Sequence, residues 1–247
     1  MWNILLAMAV GLLTWAGLAL TNLLRPGEAA VPAVLLAGLG LWLLARRTYR
    51  RLEDIFAESS RVLQGVPPRF DLGVAVLERA YPLGRWQLGV SSQVDAQIGV
   101  LLFLRKSFGR ALPHLKRALL FGHWMAGAML AVAYYKKRDE AQMRRTLLVV
   151  SRRAKKQGLV WNLYAYLLLQ VGDRAMAQRV LVEGSKHAAD DPRVRENLLA
   201  LQNGKKLKMR AYQEQWYQFH LEAPPTQHVQ GAGSPRVGRI ARRGRWS

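Results

Sequence analysis

The first 45 residues are apolar without any period. Trp2 to Leu24 carries no charged side chain. After Arg25-Pro26-Gly27-Glu28, the run Ala29 to Ala45 is again uncharged, up to Arg46-Arg47-Thr48-Tyr49-Arg50-Arg51. A helix rises about 1.5 Å per residue, so the first run crosses a hydrocarbon layer of about 30 Å, and the second does so if its flanking residues snorkel. The pattern predicts a transmembrane helical hairpin over residues 1–45.

A hairpin leaves both ends on one side, and the arginines after the second run assign that side to the cytoplasm. Everything after Ala45 is therefore expected to be cytosolic. A cleaved signal peptide fits less well, because no Lys or Arg precedes the first run and no small-x-small site follows a shorter apolar core. Trp2 and Trp42 fall where interfacial aromatics sit, while Trp15 is expected to pack more deeply. Gly11, Gly17, Gly38 and Gly40 are expected to let the two helices approach closely.

Residues 46–90 form the connection. Leu52, Ile55, Phe56 and Val62-Leu63 recur at helical spacing, predicting that the second membrane helix extends, along or just beneath the interface, until Gly65 and Pro67-Pro68 stop it. Residues 71–81 predict a short helix with Asp71 as a cap, and Pro82, Gly84 and Gly89 a turn.

From Ser91 the periodicity is helical throughout. Apolar residues recur at three- and four-residue spacing in Val94–Leu104, Pro113–Leu120, Trp124–Tyr135, Ala141–Val150, Trp161–Leu169, Ala175–Val182 and Val194–Leu201. No segment alternates with period two between hairpin turns. The polar turns 106–109, 136–139, 171–174 and 203–206 recur at a period of about 31 to 34 residues, as two-helix repeats do.

On that period residues 91–221 resemble the tetratricopeptide-repeat family. Ile98, Gly99, Leu102, Ala111, Leu115 and Ala118 match its spacing of small and large packing residues in the first unit, and Trp161, Tyr164, Ala165, Leu168, Ala177, Leu181 and Gly184 match it in the third. In the second unit Ala128 and Ala141 fit, but Arg145 stands where a large apolar residue belongs. In the fourth, Leu198, Leu199 and Ala211 fit, and Gln215 and Gln218 suit a solvated capping helix. With the two apolar runs, the expected fold is all-α, a transmembrane hairpin followed by a TPR-like α-solenoid of about four helical pairs, and the resemblance implies a concave surface for protein partners. A two-span anchor followed by such repeats is also similar to bacterial inner-membrane proteins associated with haem biosynthesis. Residues 119–135 carry no formal charge, yet their place in the repeat favours a buried helix over a third span. Residues 222–247, rich in Gly, Pro and Arg, are expected to be a disordered basic tail.

Charge narrows the partners. Basic residues number 37 against 16 acidic, a formal charge of +21. The hairpin contributes none of it, since Arg25 cancels Glu28. A tethered basic domain faces its own leaflet at high effective concentration, so anionic membrane lipid and an acidic or membrane-bound protein rank ahead of nucleic acid. Lys136, Lys137, Arg144, Arg145, Arg152, Arg153, Lys155 and Lys156 recur at seven- to eight-residue spacing and form the candidate basic surface.

Chemistry is not indicated. The chain has no cysteine, which excludes disulfides, thiolate metal sites and a cysteine nucleophile. Among His114, His123, His187, His220 and His228, only His187 has carboxylates nearby in sequence, Asp190 and Asp191, and these read as a helix end before Pro192. There is no G-x-S-x-G and no phosphate loop. The expectation is a non-enzymatic protein without metal or cofactor, a scaffold recruiting partners to the cytoplasmic face of a bacterial inner membrane. Its groove is expected on the leading helices, at Gln97, Trp124, Trp161, Asn162 and Tyr164. A subunit of a larger envelope assembly and a nucleic-acid-binding membrane protein are the alternatives.

Overall fold

The computed structural model describes residues 1–21, 25–121 and 123–224, and these residues contain helices and no strand. Most of the expected basic tail lies outside them. Helices α1 (Trp2–Leu20) and α2 (Pro26–Gln64) pack side by side. Both are long and apolar enough to cross a membrane, and most of their apolar side chains point outward, as those of a buried core helix do not. The helix starts at Pro26 rather than after Glu28: proline suits a first helical position, and the Glu28 carboxylate accepts from the Arg25 N–H at 3.3 Å. Of the four glycines, Gly11 alone is at a close approach, its missing Cβ leaving room for the Ala37 methyl, while Gly17, Gly38 and Gly40 face open space. Trp15 is not apolar packing either, for its indole N–H donates to the Pro26 carbonyl at 3.0 Å.

The second apolar run and its extension are one helix of 39 residues, about 58 Å long at the α-helical rise. Leu52, Ile55 and Phe56 face α3 (Phe70–Glu78) and the core, so the apolar stripe of the extension is used by protein and not by the interface. The Ser59 hydroxyl donates to the Gly73 carbonyl at 3.1 Å. Asp71 does not cap α3; it lies in the first turn and pairs with Arg105 at 2.6 Å.

Four units follow: α4 (Val90–Leu104) with α5 (Phe108–Ala118), α6 (Trp124–Lys136) with α7 (Glu140–Arg153), α8 (Gly158–Gln170) with α9 (Arg174–His187), and α10 (Pro192–Gln202) with a short 3-10 turn and α11 (Glu214–Tyr217). The leading helices α4, α6, α8 and α10 touch in succession, and each trailing helix packs against the next leading one. Lys106, Arg138, Gly172 and Gly204, spaced by 32, 34 and 32 residues, all have positive φ. Each closes its leading helix with the same pair of bonds, for example Ser107 N–H to Leu102 O and Lys106 N–H to Phe103 O, the arrangement that satisfies orphan carbonyls at a helix end.

These turns fix the register. Leu115, Leu147 and Leu181 are equivalent and fully buried, as are Ala111, Met143 and Ala177. The apparent misfit of Arg145 therefore disappears, because Arg145 is an exposed residue two positions from Leu147. Leu199 is likewise exposed, and Asn197 holds the buried position in its place. Within the uncharged stretch 119–135, Leu119–Phe121 form a 3-10 turn and α6, a helix of 13 residues, is buried inside the domain.

Candidate functional site

The expected groove is already filled. Beyond α10 the chain folds back across the leading helices: the Asn162 amide of α8 donates to the Tyr212 hydroxyl at 2.6 Å, Trp216 meets Tyr166 of α8 edge-on at 4.8 Å, and His220 stacks on Phe103 of α4 at 5.9 Å. Trp216 and Phe219 are fully buried. Asn162 is buried too, held also through Asn197, which donates to its side-chain oxygen at 2.8 Å. Gln97 is exposed on α4 and Trp124 half-buried at the start of α6.

Trp161 and Tyr164 point to a different place. They form the floor of a cleft of about 620 Å³ between the trailing helices α7 and α9, with Leu148, Met176 and Val180 as its apolar walls. Arg152, Lys155, Arg179, Glu183 and His187 surround it. The structure thus unites two of the expected groove residues with two of the expected basic surface. Sequence reading missed Leu148, Met176, Arg179, Val180 and Glu183. Exposed Leu148 and Met176 on otherwise polar helix faces were the available signal.

The floor is rigid. The Trp161 indole N–H donates to the Lys155 carbonyl at 2.8 Å, and its ring lies nearly parallel to His187 at 6.0 Å. Burial pushes the Tyr164 phenol above its usual range, so it stays neutral. Glu183 is engaged by Lys186 and His187. Among the described residues Arg152, Lys155 and Arg179 pair with no carboxylate, which leaves the rim cationic over an apolar floor.

The rest of the basic stripe divides. Arg144 bridges Glu140 at 2.6 Å and Asp173 at 2.8 Å, tying α7 to the start of α9. Lys136 donates to the His220 carbonyl at 2.9 Å and lies over Phe108, and burial, then the charge of Lys106, lowers its pKa. These two are structural. Lys137, Arg145, Arg153 and Lys156 are exposed.

A second cluster joins groups far apart in sequence. Asp95 of α4 accepts from the Tyr81 hydroxyl at 2.7 Å and from the Arg117 guanidinium at 2.9 and 2.8 Å, and it contacts His114 Nδ1 at 2.8 Å. His114 therefore does have a carboxylate partner, one that spacing along its own helix does not reveal. With both carboxylate oxygens engaged, the cluster clamps α4 and α5 to the 3-10 turn Tyr81–Arg85. His123 caps α6, its Nδ1 accepting from the Ala126 N–H at 3.2 Å. Among the described residues no group of three or more His, Asp or Glu side chains converges as a metal site would.

Comparison with protein-family models, with curated proteins and with solved structures returns no match to this chain.

Proposed function

We propose that this chain is a membrane-anchored adaptor: α1 and α2 span a bacterial inner membrane, the helical pairs lie in the cytoplasm, and the cleft between α7 and α9 takes a protein partner. The observation that carries this reading is the cleft itself, apolar at the floor and cationic at the rim, on a domain joined without a flexible linker to two outward-facing apolar helices. Such a surface suits an amphipathic acidic segment, its apolar side chains against Leu148, Met176 and Val180 and its carboxylates near Arg152, Lys155 and Arg179. Tethering both partners to one bilayer raises their effective concentration, so a shallow cleft suffices. The helical pairs also agree with a tetratricopeptide-type repeat, whose trade is protein recognition and not catalysis.

The test is site-specific photocrosslinking in intact cells, with the crosslinker at Leu148 or Met176 and, as a control, at exposed Leu199 on α10. A defined protein captured from both cleft positions, absent from Leu199, and lost on combining Arg152→Glu with Arg179→Glu is the expected result. Capture that ignores the charge reversal, or occurs equally at Leu199, rejects the cleft. Capture of several membrane proteins through the hairpin alone would point instead to a subunit of a larger envelope assembly.

A further inference from the structure

Trp86, Leu88 and Phe121 are large apolar side chains standing 45%, 47% and 54% exposed, and among the exposed apolar residues of the domain they include both of its exposed aromatic rings. They come from two separate stretches of chain: the ring of Phe121 lies against Gly89, next to Leu88, and Trp86, two residues earlier, lines a small pocket with Asn3 and Leu44.

The height of Trp86 is fixed by hydrogen bonds. The Asn3 N–H donates to the Trp86 carbonyl at 3.2 Å, and the Asn3 amide donates to Gln87 and to Thr48, each at 3.1 Å. Asn3 is the second residue of α1, and Thr48 lies just beyond the apolar part of α2. After α2 carries the chain away as far as Gln64, α3 returns along it, with Arg79 paired to Glu58 at 2.7 Å, and the turn at 81–86 arrives back level with the ends of the two spans.

The charges at this level agree. Arg46 lies over the Trp42 ring at 5.2 Å, and Arg47, Arg50, Arg51 and Arg85 follow nearby in sequence or space. On the Phe121 side, Arg153 donates to the Leu119 carbonyl, which places this cation beside the 3-10 turn that carries Phe121. Aromatic and aliphatic side chains flanked by Arg are what a lipid interface with anionic headgroups retains.

We propose that the edge formed by Trp86, Leu88 and Phe121 sits in the headgroup region of an anionic bilayer, so that the domain is held against the membrane by a surface contact besides its hairpin. The proposal rests on the transmembrane reading of α1 and α2. It gives the domain one fixed attitude and sets the height of the α7–α9 cleft above the lipid.

The absence of cysteine allows a direct test. Single variants Leu88→Cys, Phe121→Cys, Leu13→Cys within α1, and Leu199→Cys on α10 are made in the full chain, labelled with a polarity-sensitive fluorophore, and reconstituted into phosphatidylcholine vesicles containing a minority of phosphatidylglycerol. Labels at Leu88 and Phe121 are expected to shift to the blue and to be quenched several-fold more by a nitroxide on the lipid than the label at Leu199, with weak quenching by aqueous iodide. Strong iodide quenching at Leu88 and Phe121, with Leu13 quenched by the lipid nitroxide, overturns the proposal and leaves the anchor intact. Shielding of both labels from iodide and nitroxide alike means that protein covers the edge, and overturns it equally. If Leu13 also escapes the lipid nitroxide, the transmembrane reading itself has failed.

Discussion

Gly184 of α9 lies so close beneath Trp161 of α8 that a Cβ on Gly184 would stand 2.7 Å from the Cβ and Cγ of the tryptophan. One repeat earlier the sizes are exchanged: Gly127 of α6 takes the place of Trp161, and Val150 of α7 the place of Gly184, with a Cβ on Gly127 falling 2.5 Å from Val150 Cγ2. Each crossing admits one large side chain, and either helix can supply it.

That exchange predicts a coupling. Gly184→Val alone overpacks the crossing at about 1–3 kcal/mol, and Trp161→Gly alone opens a cavity at about 3–5 kcal/mol. The double variant reproduces the α6–α7 pair and should be more stable than the sum of the two by about 1–3 kcal/mol. Denaturant unfolding of the full chain in detergent, followed by circular dichroism, measures it. Simple additivity would show that the two crossings are not equivalent.

The fold-back segment predicts a contrast at one position. Trp216→Ala removes a fully buried indole and should destabilise by about 3–5 kcal/mol. Among the described residues its indole N–H has no hydrogen-bond partner, so Trp216→Phe gives up less apolar contact and also removes a buried unpaired donor, whose desolvation is worth about 1–3 kcal/mol. The Phe variant should therefore stay close to the parent chain in the same unfolding measurement. A Trp216→Ala variant as stable as the parent would mean that the segment is not seated across the leading helices.

Local order was legible in the sequence, and long-range partners were not. The two uncharged runs, the unbroken passage from the second run into residues 46–64, and the polar turns near 106, 138, 172 and 204 all follow from neighbours a few positions apart, where periodicity and breakers carry the information. The filled groove depends on Tyr212 meeting Asn162 and His220 meeting Leu104, 50 and 116 residues away. Asp95 meets Arg117 across 22 residues and two helices. A lone asparagine at position 162, amid the apolar residues of α8, was the one advance sign that a polar partner must arrive from elsewhere. The register of the second unit slipped because Arg145 and Leu147 share a helix and differ by only two places; the turn at Arg138, with its positive φ, decides between them.

The His123 cap predicts sensitivity near neutral pH. Burial holds the His123 imidazole below its ordinary value of 6.5, and its Nδ1 must stay unprotonated to accept from Ala126. A histidine with a depressed folded pKa contributes stability above pH 6.5, and the contribution falls as pH drops through the folded value. His123→Asn keeps a capping acceptor that does not titrate. The stability of this variant should change less between pH 7 and 5 than that of the parent, by melting temperature in detergent. An unchanged slope would place the titration elsewhere, at His220 first, since its burial shifts it the same way.

The Asp95 clamp predicts losses at both ends of the pH scale. Burial raises the Asp95 carboxyl, but hydrogen bonds from Arg117, Tyr81 and His114 outweigh it and hold the group below its ordinary 3.8. Its contribution is thus complete above about pH 4–5 and disappears as pH falls through the lowered folded value. The Tyr81 phenol is shifted the other way, first by burial and then by its hydrogen bond to Asp95, to about 12. A raised folded pKa gives stability that is complete below 10 and is lost as pH climbs toward 12. Tyr81→Phe should therefore flatten the alkaline limb and weaken the acid limb, because Asp95 loses one of its donors. Asp95→Asn should flatten the acid limb and lower stability at neutral pH by about 1–3 kcal/mol, since the site loses its charged acceptor while the half-exposed Arg117 guanidinium turns to water. Unfolding free energies measured from pH 3 to 11 for the three chains decide the matter: if Tyr81→Phe alters the acid limb as little as a substitution at exposed Gln97, the phenol and the carboxylate are not coupled.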